Sequence, residues 1–261
     1  MNKVKVGIFW LVLFISAIGF GQADVWYVGN DVKLDFSGGG DPVISRGVPI
    51  SNSGYYWEST TSISDPITGQ LVFAVVGDKL YDGGQQDAGT LGGSVFDVAQ
   101  GTLVYPVPGS TNEFFLTHLG HSTNGTTPMS KYYKVTVNTL PSGDLQAGVT
   151  GNISLGSAQN LAGNLTQAQA GIPKLNADGS LSDDYWLLTH ETCNDKFRLY
   201  EVTSAGINLS NDVNVGPNLV CSTAFPPQYD VIGTFKFNSC YTQFAMAMGN
   251  KVSLFSFDAN T

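Results

Sequence analysis

"DYWLLTHETCNDKFRLYEVTSAG", Asp184 to Gly206, sets the terms for the whole chain. Two runs rich in aromatic and branched residues, Tyr185 to His190 and Phe197 to Thr203, flank a polar segment, Glu191 to Lys196. Short runs of this kind, bounded by Asn, Asp, Ser and Gly, read as the two strands of a hairpin. The polar segment also carries ligand chemistry in His190, Glu191 and Cys193, so the hairpin reading competes with a reactive or metal-binding one. A zinc site of the HExxH type needs a second histidine at position 194 on a helix, and that position is Asn194 between strand-like runs. On a strand, Trp186, Leu188 and His190 point to one face, and Tyr185, Leu187 and Thr189 to the other. His190 is therefore expected to be a hydrogen-bonded residue at a strand end, and Glu191 to Lys196 a solvated turn. Cys193 has no third group in the pattern to orient it as an activated thiol.

The same order of parts, an apolar strand, a polar turn and an alternating strand, returns elsewhere. It occurs in "FFLTHLGHSTNGTTPMSKYYKVTVNT" from Phe114, in "FAMAMGNKVSLFSFDAN" from Phe244 and, degenerate, in "LVFAVVGDKLYDGG" from Leu71. Strands are expected at Val25 to Val28, Gln70 to Val76, Gly101 to Val107, Glu113 to Leu119, Tyr132 to Val137, Gly233 to Phe237, Gln243 to Met248 and Val252 to Phe257. Helical periodicity is nearly absent, and the one region that suggests a helical turn is Ala158 to Ala170. The stretch Pro141 to Asp183 reads as one strand, around Gly151 to Leu155, plus a large insertion or surface loop. The chain is thus read as all-β.

A repeating unit of this kind cannot bury both faces of its sheet alone, and radial stacking of neighbours solves that problem. The step from Leu71 to Phe114 is that of a propeller blade, about 40–45 residues, while the later anchors Tyr185 and Phe244 need insertions. A β-propeller is the favoured architecture, incomplete or truncated if the repeats stop here. A β-sandwich is the alternative, since strands at this density fit it too.

The first residues, "MNKVKVGIFWLVLFISAIGFGQA", place Lys3 and Lys5 before an apolar run from Val6 to Phe20. The run is short of the ~20 residues that cross a bilayer and reads as a cleaved signal peptide, residues 1–21. That leaves residues 22–261 as one domain, expected to be soluble and outside the cytoplasm. The chain carries a net charge of −9, and two of its 12 basic residues are in the leader. Such a balance repels nucleic acid and anionic membranes, so a neutral polysaccharide or another protein fits better as partner. The three cysteines lack CxxC spacing, and one bridge after export is the expectation. Cys221 with Cys240 is the preferred pair, because the hairpin around Cys193 is explained without it.

Several pieces together point to a family: "WYVGNDVKLDFSGGGDPV" after the leader, "TSISDPITGQLVFAVVGDKLYD", "LVYPVPGSTNEFFLTHL", "YYKVTVNTL" with "GDL", the opening hairpin and "VSLFSFD". In this order they resemble the N-terminal propeller region of large secreted surface proteins of Bacteroidetes, of the kind exported by the type IX system. The resemblance runs from about Val25 to Asp258. It implies a YVTN/WD40-like propeller, an extracellular address and a role in adhesion, gliding or surface binding. Two departures stand out. The family often has a cysteine before the "ISD" segment, where this chain reads "ESTTSISD", and its members are usually much longer.

His118 and His121 form "HLGH", with "THL" paralleling the "THE" of the opening stretch, and equivalent positions of a repeat tend to keep a residue for packing. Convergence of His118, His121 and His190 on a metal is the sharper alternative. Glu58, Asp65, Glu113, Asp184 and Glu191 are carboxylates of the type glycosidases pair, yet nothing brings two of them together. The aromatic cluster Tyr55, Tyr56 and Trp57 in "GYYWEST" is the candidate ligand-binding surface, since such rings present large area at small entropic cost; strand core is its bland reading. The glycine-rich "SGGGD" and "GTLGGS" lack the lysine and helix of a phosphate loop. Sequons begin at Asn124, Asn152, Asn164 and Asn208 and would mark surface loops in a eukaryotic chain. No cofactor is called for. The favoured function is a non-enzymatic extracellular binding or adhesion module. The alternatives are a carbohydrate-active enzyme on the same fold and a structural subunit that self-associates through open sheet edges.

Overall fold

The computed structural model describes residues 25–28, 32–36, 38, 41–46, 60–65, 68–92, 98, 100–121, 128–219, 233–248 and 251–260. Among them every regular element is a strand, and all pairs are antiparallel between neighbours. The first sheet holds β1 (Val25–Val28), β2 (Val32–Asp35) and β3 (Val43–Arg46). The second holds β4 (Thr60–Ser64), β5 (Leu71–Val76), β6 (Lys79–Asp82) and β7 (Asp87–Thr90). In the third, β8 (Thr102–Pro106), β9 (Glu113–His121) and β10 (Pro128–Val137) lie in order, and β11 (Ile153–Leu155) and β12 (Gln159–Ala162) share the outer edge of β10. The fourth holds β13 (Leu165–Leu175), β14 (Leu181–Glu191), β15 (Lys196–Thr203) and β16 (Gly206–Asn214). The fifth holds β17 (Gly233–Phe237), β18 (Gln243–Met248) and β19 (Lys251–Ser256). The all-β expectation stands, and none of the sheets closes into a barrel.

Burial is continuous along much of the central strands β5, β9 and β14 because each sheet meets a different neighbour on each face. Phe73, Val75 and Leu80 of the second sheet pack on Phe114, Leu116, Tyr133 and Val135 of the third, with the Phe73 and Phe114 rings edge to face at 5.5 Å. The opposite face of the third sheet, Tyr105 and Phe115, packs on Leu187, Tyr200 and Val202 of the fourth. The fourth in turn sets Ala168, Ala170, Leu188 and Phe197 against Phe235, Phe244, Met246 and Met248 of the fifth. Contacts between first strands follow the same succession, β1 with β4, β4 with β8, β8 with β13 and β13 with β17. Sheets packed on both faces carry apolar side chains at consecutive positions, which is why β5 is buried along its whole length.

One turn recurs between the first two strands of a sheet. Asp65 Oδ1 accepts from the Thr68 N–H at 2.7 Å, and Asn238 Oδ1 accepts from the Thr242 N–H at 2.9 Å and the Gln243 N–H at 3.1 Å. Asn176 opens the corresponding turn of the fourth sheet, accepting at its carbonyl from the Gly179 N–H at 2.8 Å. Asp and Asn suit this corner because their side chains bond backbone groups a few residues ahead. Each turn then reaches positive φ, at Gly69, Gly179 and Tyr241.

Two expectations are corrected. Pro141 to Asp183 is no loose insertion, since β11, β12, β13 and the start of β14 lie in it, and Ala158 to Ala170 is extended rather than helical. Ala and Gln favour helices in isolation, but here the alternation in "LTQAQA" sends Ala168 and Ala170 to the fifth sheet and leaves Gln167 and Gln169 facing the third. Packing on both sides overrides a local preference worth a few tenths of a kcal/mol per residue. The link from β10 to β11 also carries structure. The fully buried Asn152 donates to the carbonyls of Val72 at 2.9 Å and Gln146 at 2.6 Å and accepts from the Gly83 N–H at 3.1 Å. Its sequon is therefore no surface loop. A Cβ on Gly84 would lie 2.7 Å from the Thr150 nitrogen, so this close seat on the second sheet requires glycine.

Candidate functional site

The hairpin of β14 and β15 brings His190, Glu191 and Arg198 together, each for a local reason. Thr189 pairs with Arg198 and His190 with Phe197 across the two strands. His190 is fully buried, its ring edge-on to Phe197 at a centroid distance of 4.4 Å. Its Nδ1 lies 2.6 Å from the Glu191 carbonyl, an acceptor, so Nδ1 carries the proton and Nε2 is left with no partner. Burial lowers the pKa of this ring below its ordinary value, against a smaller upward pull from the Glu191 carbonyl and the Asp195 and Glu191 charges. Glu191 is held from three sides. Arg198 binds Oε1 through both Nε, at 2.7 Å, and Nη2, Asn194 donates to Oε2 at 2.7 Å, and Lys196 Nζ lies 3.6 Å away. Burial pushes this carboxyl up, and the hydrogen bonds of Asn194 and Arg198 with the two cationic charges outweigh it, leaving the pKa lowered.

The turn is thus less solvated than the sequence suggested. Glu191 and Thr192 are buried, and the Thr192 N–H and hydroxyl donate to the Asn164 carbonyl at 2.7 and 3.1 Å. Cys193 is exposed at positive φ and disulfide-bonded. Cys240 is an exposed free thiol, which corrects the expected pairing of Cys221 with Cys240. The turn does need its cysteine, as a covalent tether of the hairpin end.

His118 corrects a second expectation. "THL" and "THE" look equivalent, yet the residues are out of phase by one. Leu116 and His118 share a face of β9 with Phe114, which packs on the second sheet, whereas Leu188 and His190 share a face of β14 that packs on the fifth. A slip of one residue moves every side chain to the other face. The two histidines therefore point away from each other, which rules out their sharing a metal; the side chain of His121 lies outside the described residues. His118 is fully buried with neither ring nitrogen partnered, and Thr102 and Lys131 are its neighbours across the register. Burial, then the Lys131 charge, lowers its pKa from 6.5 to about 4.

On the opposite face of β9 a polar seam runs between the third and fourth sheets. The Thr117 hydroxyl donates to Gln169 Oε1 at 3.1 Å, and Thr189 stands next to Gln169 in the register. All three are fully buried. Farther along, a Cβ on Gly171 would lie 2.5 Å from the Tyr105 hydroxyl, so the tyrosine lies directly against the backbone of β13. Gln100, just before β8, joins three sheets. Its N–H donates to the Gln167 carbonyl at 3.1 Å, and its side-chain amide pairs with the Phe235 backbone, accepting at 2.9 Å and donating at 3.4 Å. Gln100, Gln167 and Gln169 are not apparent as site residues from the sequence. The alternation in "QAQA" was the one signal for the last two, and Gln100 had none.

Three of the five carboxylates weighed for glycosidic chemistry are taken up locally. Asp65 caps its own turn, Glu113 pairs with Lys134 at 3.3 Å and Glu191 with Arg198. Among the described residues no group of three or more His, Cys, Asp or Glu could hold a metal ion, and no helix is long and apolar enough to cross a membrane. Tyr55, Tyr56 and Trp57, the candidate ligand surface, lie outside the described residues, as do Glu58 and Cys221. No family model, curated protein or solved structure matches this chain.

Proposed function

We propose that this chain is a non-enzymatic extracellular binding module on a β-propeller-like arrangement, with protein or polysaccharide at a cell surface as its partner. The observation that carries the architecture is the position of Gln100. A residue leading into the third sheet is hydrogen-bonded to the fifth as well as to the fourth, which suits sheets that converge on a common axis. The succession of first-strand contacts supports the same layout. Two sheets of a sandwich pack on one face each, whereas the third and fourth sheets here bury both. Binding is favoured over catalysis because His118 and His190, the two histidines whose side chains are described, are buried in packing and Glu191 is paired with Arg198. The leader and the Bacteroidetes-like segments support export, in that family by the type IX route.

The test uses residues 22–261 on a glycan array and against extracts of surface polysaccharide, with product release measured in parallel. Saturable binding without turnover is the expected result. Release of reducing ends from any of these glycans would overturn the reading in favour of an enzyme.

A further inference from the structure

The layer between the third and fourth sheets changes character along its height. In one part it is apolar, where Tyr105 and Phe115 meet Leu187, Tyr200 and Val202. One row farther along the fourth sheet, Gln169 stands beside Thr189, and Thr117 of β9 reaches Gln169 from the third sheet. All three side chains are fully buried, and the strands that carry them lie within the described residues. The Thr117 hydroxyl donates to Gln169 Oε1 at 3.1 Å, which leaves Gln169 Nε2 with its N–H groups and no acceptor. Whichever way round the amide stands, Thr117 satisfies one of its head atoms and no side chain or backbone group satisfies the other. The Thr189 hydroxyl, next to Gln169 across the register, has no partner either. Groups of this kind are paired in folded proteins, because a buried N–H or O–H that gives up solvent and finds no substitute costs its full desolvation.

There is room at this row as well as need. Sheets pack about 10 Å apart face to face, and the neighbouring row fills that depth with Leu187 and the rings of Tyr105 and Phe115. Here Thr117 and Thr189 reach little past their Cβ atoms. Arg198, which follows Thr189 in the register, turns its guanidinium to Glu191. We propose that one ordered water is bound between the third and fourth sheets, accepting from Gln169 Nε2 and hydrogen-bonded to Thr189 Oγ1, with Thr117 Oγ1 as its third partner. Three partners is the usual number for an internal water. Water suits the row where an ion does not, since it accepts from the amide and donates to a hydroxyl, whereas a cation would meet the amide N–H groups and an anion would lack a free cation. The chain from Thr117 through Gln169 and the water to Thr189 is a polar link in an otherwise apolar joint, and a single seating of the two sheets satisfies every member of it. The site is independent of what the protein binds at its surface.

Oxygen-17 relaxation dispersion, which counts waters held inside a protein for longer than it takes to tumble, tests this on residues 22–261. Gln169→Met keeps the length of the side chain and removes the amide, and is expected to hold one such water fewer than the wild type. Thr189→Ser keeps the hydroxyl and is expected to match the wild type. A crystal structure of the wild type should place the water oxygen within about 3.2 Å of both Gln169 Nε2 and Thr189 Oγ1, and decides the matter by itself if Gln169→Met fails to fold. An unchanged count in Gln169→Met, an equal fall in Thr189→Ser, or density in which the amide bonds Thr189 directly with no water between them would each overturn the proposal.

Discussion

Replacing His118 by Leu should remove a defined part of the pH dependence of stability. The folded protein accommodates only the neutral ring, since both nitrogens are buried without partners and Lys131 stands across the register. The unfolded chain binds the proton near the ordinary 6.5 while the folded one resists to about 4. Stability is therefore independent of this group above pH 6.5, declines as the pH falls from 6.5 to about 4, and loses nothing further from it below that. At 1.36 kcal/mol per pH unit the whole decline comes to about 3 kcal/mol. Leucine, of similar size and apolar, cannot titrate. The assay is urea denaturation of wild type and variant at half-unit steps from pH 4 to 8, read as the difference between their unfolding free energies. His190, Glu191 and the other carboxylates titrate in both proteins and cancel. The variant should gain on the wild type by about 3 kcal/mol between pH 7 and 4, most steeply near pH 5. A flat difference, or a His118 ring resonance that titrates near 6.5, would refute the burial argument.

Gly171→Ala should destabilise by about 1–3 kcal/mol in the same assay, because its new carbon must displace the buried Tyr105 ring; Tyr105→Phe, which deletes a hydroxyl without a partner, should be neutral or stabilising. Arg198→Met should cost about 3 kcal/mol by taking from the buried Glu191 carboxylate its closest cation and both hydrogen bonds to Oε1, with only Lys196 left 3.6 Å away. Adding Glu191→Gln should recover part of that loss, and additive losses would refute the pairing. Peptide mapping without reductant should find Cys193 bridged and Cys240 alkylated. Cys240→Ser should leave the melting temperature unchanged while Cys193→Ser costs about 2–5 kcal/mol.

Many of the strands were legible because their signal is local. β1, β17 and β18 begin and end with their short runs of apolar, β-branched and aromatic residues, and the hairpin of β14 and β15 is written in its flanking runs and its Asn-Asp turn. The Asp and Asn that open the turns are of the same kind, since one side chain bonding a few residues ahead needs no distant partner. β2, β3, β4, β7, β12 and β16 were not among the expected strands, and β13 was not legible because Ala and Gln say nothing of extension until sheets on both sides demand it. The fate of the reactive side chains was still less so. Whether His118 and His190 face the same way depends on a one-residue phase that "THL" and "THE" conceal, and the spacing of three cysteines does not say which one is free.

The sequence by itself determined that this chain folds into antiparallel strands linked by short polar turns, since period-two patterning and turn chemistry act between near neighbours. Only the tertiary structure decided which faces meet, that Gln100 ties the third sheet to the fourth and fifth, and that Glu191 is spent on Arg198. The first two are set by contacts between residues far apart in the chain, and the third by the cross-strand register that brings Arg198 beside Glu191 within one hairpin.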